Sequence, residues 1–106
     1  MRKLFVLILL SAQFAFANSA DASHAEVVSL PSGCDYFIAK GNRGYYLSKF
    51  IEGHCPCLGD VILGDIDSNG LKNIYYPLKE REGVVYVEDY SMSKSRSIEH
   101  YKEHCN

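Results

Sequence analysis

The chain has 106 residues, with 11 Lys and Arg against 13 Asp and Glu for a formal net charge of −2, eight tyrosines, no tryptophan and four cysteines. That balance offers no basic face to neutralise phosphates, which excludes nucleic acid as the expected partner and weighs equally against an anionic membrane surface. A chain this short forms one domain whose core alone gives marginal stability, so covalent staples are expected.

Arg2 and Lys3 precede an apolar run from Leu4 to Leu10 that continues to Phe14 and ends in Ala15-Phe16-Ala17. This is the plan of a secretory signal, and residues 1–17 read as a signal peptide cleaved after Ala17. The run falls short of the roughly 20 apolar residues that cross a bilayer, so no stable membrane anchor is expected after cleavage. Loss of Arg2 and Lys3 leaves nine basic residues against 13 acidic ones, a net charge near −4. The expected location is periplasmic or secreted. Cys34 follows Leu30-Pro31-Ser32-Gly33 far beyond the apolar run, with Pro31 where a lipoprotein cleavage box has a branched apolar residue, so lipidation is not expected.

All four cysteines, Cys34, Cys55, Cys57 and Cys105, follow the cleavage point, and an even count in a small exported domain predicts two disulfides. A Cys55–Cys57 bridge would close a small strained ring. The other two pairings both tie Cys34 to the Cys55-Pro56-Cys57 corner and that corner to Cys105, and spacing does not choose between them.

Residues 18–30 read as a polar leader, because Asn18 to Ser29 is rich in Ala and Ser and lacks a sustained apolar period. The domain is then 31–106. Short apolar runs separated by turn residues predict strands at Asp35 to Lys40, Tyr45 to Ile51, Asp60 to Ile66, Leu71 to Tyr76 and Val84 to Tyr90. The third of these is apolar on both faces and reads as central. In the pairs Tyr45-Tyr46 and Tyr75-Tyr76, strand alternation sends one ring to the core and the other to the surface. From Ser93 the chain loses Gly and Pro, and Ile98, Tyr101 and Cys105 form one helical stripe, predicting a helix over about 93–104 that packs on the sheet. The fold expected is mainly β with a C-terminal helix: a small five-stranded antiparallel meander or barrel, SH3-like or OB-like, stapled by disulfides.

Asp65-Ile66-Asp67-Ser68-Asn69-Gly70 matches the first half of a calcium-loop pattern, with oxygens of Asp65, Asp67 and Asn69 at alternate positions. The twelfth position, which should carry a bidentate Glu, is Tyr76. The plain alternative is a type I′ hairpin turn at Asn69-Gly70. His54-Cys55-Pro56-Cys57, joined by His100, His104 and Cys105, offers zinc or copper donors, against disulfides with solvent-facing histidines. No hydrolase elbow, metalloprotease helix or phosphate loop is present, and no catalytic residue is assigned.

The leading expectation is an exported, non-catalytic domain that binds another protein as an inhibitor, immunity or accessory factor. A calcium- or transition-metal-binding protein is the second and an enzyme of unrecognised type the third. No cofactor is expected for the leading reading, with calcium at Asp65, Asp67 and Asn69 as the alternative.

Overall fold

The structure is a computed structural model, and it describes residues 23–105. The expected signal peptide, residues 1–17, and the expected leader as far as residue 22 lie outside the described residues. Six strands and one helix follow in order: β1 Ser23–Ser29, β2 Tyr36–Gly41, β3 Gly44–Gly53, β4 Val61–Gly64, β5 Gly70–Tyr76, β6 Arg81–Met92 and α1 Lys94–His104. Two three-stranded meanders join through β1–β4 and β3–β6 into a closed antiparallel barrel of order β1-β2-β3-β6-β5-β4. The disulfide joins Cys34 to Cys105.

The barrel therefore has six strands rather than the five expected. The additional one is β1, in a stretch read as leader. Its Ala25 and Val27 point into the core while His24, Glu26 and Val28 point out, a period of two written with one small side chain. Pairing with β2 and β4 on its two sides makes it an integral stave.

Inside the barrel pack Val27, Phe37, Tyr46, Ile62, Ile66, Ile74, Tyr76, Val85 and Val87. A second cluster, Ile38, Leu47 and Met92 with Tyr36, Tyr45 and Tyr101, lies between the outer faces of β2 and β3 and the helix. Phe37-Ile38-Ala39 and Tyr46-Leu47-Ser48 are buried on both faces for this reason. The doubly covered strands are β2 and β3, not β4. Of the tyrosine pairs, Tyr46 and Tyr76 enter the core, Tyr75 stays outside, and Tyr45 lies beneath the helix.

Ser93 caps α1, its Oγ accepting from Arg96 N at 3.1 Å. The buried helix residue is Ser97, whose hydroxyl donates to Lys94 O at 2.7 Å, whereas Ile98 of the expected stripe is 39% exposed. A small side chain lets the helix approach the sheet closely, and Tyr101 fills the next turn.

The joint between β4 and β5 is the thinnest part of the wall. β5 pairs with β6 along its whole length but meets β4 only at Leu63–Tyr75. The expected type I′ turn at Asn69-Gly70 is replaced by the five-residue connection from Asp65 to Asn69, which drops Ile66 into the core.

Candidate functional site

The four cysteines do not pair as the sequence suggested. Cys34 bonds to Cys105, and Cys55 and Cys57 are free and exposed. Sheet topology brings the β1–β2 connection under the end of α1, a proximity between residues 71 apart that spacing does not encode. Nor do the expected Cys and His donors gather at one point. They divide between two places, one at the loop after β3 and one along α1.

At the first place, the loop from His54 to Asp60 folds around the Asp60 carboxylate, which is 4% exposed. Its Oδ2 accepts from Cys57 N at 2.9 Å and lies 3.0 Å from His54 Nε2, while Oδ1 accepts from Lys79 Nζ at 2.8 Å. Burial raises the Asp60 pKa, but the hydrogen bonds from Lys79, His54 and the Cys57 amide outweigh it and leave the carboxyl below its ordinary value. His54 N also donates to Glu82 O at 3.0 Å, and the His54 ring meets Tyr76 edge-on at 4.5 Å. Burial and then the Asp60 charge push the Tyr76 hydroxyl up, and that hydroxyl is enclosed without a hydrogen-bond partner. His54, Cys57 and Asp60 stand close enough to share a metal ion. Both Asp60 oxygens are already engaged, one of them by an ammonium group, so the arrangement acts as a clasp between the loop and the turn after β5.

The second place lies between α1 and β6. One helical turn apart, His100 and His104 share a face with Glu103, and the three offer donor atoms within 4.8 Å of one another. Rather than facing solvent as expected, the two histidines face Glu88 and Asp89. His104 Nε2 is 3.6 Å from Glu88 Oε2, and His100 Nε2 is 3.7 Å from Glu103 Oε1. Tyr36 packs its ring 4.7 Å from that of His104.

No family model, curated protein or solved structure matches this chain.

The calcium-pattern residues Asp65, Asp67 and Asn69 are each directed to different partners. Asp65 faces Lys72 at 3.8 Å. Asp67 accepts from Tyr46 Oη at 2.8 Å, from the Ser23 hydroxyl and from Arg43 at 3.4 Å. Asn69 Nδ2 donates to Glu88 O at 2.6 Å. Asp67 thus serves as a polar cap on one end of the barrel, and burial followed by the bond to Asp67 lifts the Tyr46 pKa to about 12.

The remaining feature is a surface. Along the thin β4–β5 joint runs an open groove of about 690 Å³, lined by Leu63, Tyr75 and Val84 with Glu52 and Glu82. Beside it Leu71 pairs across the strands with Tyr86, the two being 64% and 38% exposed. The sequence signals that could have found these places are modest. Asp60 opens one expected strand, Lys79 falls between two strands and Glu88-Asp89 falls within the last, and nothing in their spacing groups them.

Proposed function

We propose that this chain is an exported binding domain that takes a protein partner on the outer face of β4, β5 and β6. One observation carries the reading: Leu63, Leu71, Tyr75 and Tyr86 are each between 36% and 64% exposed, Leu63 and Tyr75 lining the groove and the cross-strand pair Leu71 and Tyr86 lying further along the same two strands, β5 and β6. Contiguous apolar and aromatic surface rimmed by polar groups is what a docking site presents, and tyrosines supply large contact area at small entropic cost. Glu52 and Glu82 at the groove, together with the acidic balance of the chain, favour a partner that brings basic residues beside its apolar ones.

Export to a periplasm or beyond belongs to the same proposal. The Cys34–Cys105 disulfide is consistent with an oxidising compartment. No helix among the described residues is long and apolar enough to cross a membrane.

Site-specific photo-crosslinking in the producing organism tests the reading. A photoreactive residue at Leu71 is expected to give a discrete protein adduct that competing salt weakens, and the same residue at Lys102, on the exposed side of α1, is expected to give none. No adduct from position 71, or equal adducts from both, would remove the proposal.

A further inference from the structure

We propose that His100 and His104 of α1, with Glu103 beside them and Glu88 facing them from β6, form a binding site for a divalent transition-metal ion of the zinc class. The inference is independent of the partner-binding reading and uses a different face of the molecule.

The tautomer of His104 supplies the first argument. Its Nδ1 lies 3.0 Å from the carbonyl oxygen of His100. A carbonyl only accepts, so Nδ1 carries a proton, and in the neutral form of the ring the lone pair is on Nε2, the nitrogen that faces Glu88. An Nδ1–H held by a backbone carbonyl is the support that metal-ligating histidines commonly have.

His100 supplies the second. Its Nδ1 is enclosed and has no hydrogen-bond partner, although Asp89 Oδ2 stands only 3.4 Å away. A metal ion on Nε2 would fix the proton on Nδ1 and turn Asp89 into its acceptor, giving the carboxylate–histidine–metal chain that orients such ligands. The orphaned nitrogen is then explained by the same ion as the His104 lone pair.

Spacing supplies the third. The Nε2-to-carboxylate separations of 3.6 and 3.7 Å are too long for hydrogen bonds. With zinc–ligand bonds of about 2.0–2.1 Å, the edges of a coordination tetrahedron are about 3.4 Å. His100, His104 and Glu103, whose donor atoms lie within 4.8 Å of one another, need side-chain movements of up to about 1.5 Å to close on one ion, with Glu88 beside His104 for the fourth position. The helix fixes both imidazoles at i and i+4, and Cys105, next to His104, is pinned to Cys34.

The chemistry of the donors selects the ion. Imidazole nitrogen with carboxylate oxygen suits zinc, nickel or copper(II). It lacks the all-oxygen shell of calcium and the thiolates that favour cuprous ion. Among the described residues no lysine or arginine forms an ion pair with Glu88, Asp89 or Glu103, Lys49 lying over the Tyr36 ring instead, in contrast to the His54–Cys57–Asp60 clasp, where Lys79 already neutralises Asp60.

The test is calorimetric titration of zinc chloride into the mature protein with its Cys34–Cys105 bond intact, with calcium chloride as the comparison. Copies carrying Cys55→Ser with Cys57→Ser, His100→Gln and His104→Gln are titrated in parallel. One zinc per chain is expected, unchanged in the double serine variant and weakened at least tenfold in each histidine variant, with no calcium binding. In the unsubstituted protein, imidazole nitrogen NMR should show the Nε2 signals of His100 and His104 moving on zinc addition while both Nδ1 protons persist. That measurement decides the matter if a glutamine variant fails to fold. Absence of zinc heat and of imidazole shifts would overturn the proposal, as would zinc binding that is lost in the serine variant but kept in His104→Gln, or calcium binding of equal strength.

Discussion

Replacing both Cys34 and Cys105 by serine removes a cross-link between residues 71 apart in sequence. In the chain-entropy account, closing a loop of that size removes about 15 cal/mol/K from the unfolded ensemble, or about 4.4 kcal/mol at 25 °C. A domain of this size has total stability of only about 5–10 kcal/mol, so most of it would go. The double variant is expected to lose roughly 2–4 M in its urea midpoint, with a somewhat larger slope because its unfolded chain is more expanded. Urea denaturation followed by tyrosine fluorescence, with Cys55→Ser plus Cys57→Ser in parallel, measures both. The free, exposed pair should cost less than about 0.5 kcal/mol. If the Cys55/Cys57 variant lost about 4 kcal/mol and the Cys34/Cys105 variant lost little, the assigned pairing and the topology that explains it would both be wrong.

Asp60→Asn should destabilise the domain by about 2–3 kcal/mol at neutral pH, since Lys79 and His54 lose a buried charged acceptor. Because the folded pKa of Asp60 is depressed, its contribution is fully present above the unfolded carboxyl range near 4 and is lost as pH falls through the lower folded value. Melting curves of the two proteins should therefore converge below about pH 4. At the alkaline end, Tyr46, lifted to about 12, and Tyr76 favour the neutral form in the fold, so their contribution is whole below about pH 10 and is lost as pH rises towards the folded values. Absorbance titration should find these two of the eight tyrosines ionising last, and early ionisation of either would contradict their burial. Gly53→Ala puts a Cβ 2.7 Å from Glu82 O at a φ of 89° and should cost about 2–4 kcal/mol. Gly59→Ala, at a φ of 86° but in open space, should cost only about 1 kcal/mol, and equal losses in thermal melts would refute the steric account.

Sequence and structure agree where apolar residues are dense. The five expected strands and the helix all exist, within a few residues of their expected ends, because Tyr45 to Ile51 or Val84 to Tyr90 carry their own β-branched and aromatic signal. β1 escaped because half of its buried face is Ala25, and its stability comes from two neighbours rather than from its own composition. Asp60 to Ile66 looked central because Ile62 and Ile66 enter the core while Val61 and Leu63 cover the outside. In the candidate sites the residue types were legible and their grouping was not. His100 and His104 stood out by helical spacing, yet Glu88 and Asp89 reach them only because β6 pairs with β3, one of the strands the helix packs on. The same limit hid the Cys34–Cys105 pairing, which depends on where the barrel places the two ends of the chain.

The single residue pair between β4 and β5 gives the ring a latch. If Leu63 and Tyr75 part, every other strand pairing can persist, and the barrel becomes a curled six-stranded ribbon with β4 and β5 as its free margins. Breathing of that kind exposes little core compared with global unfolding, so amide protons of β4 and of the β4-facing side of β5 should exchange well ahead of those of β2 and β3. A molecule that settles along the groove would then act as a bolt, slowing exchange at positions it does not touch.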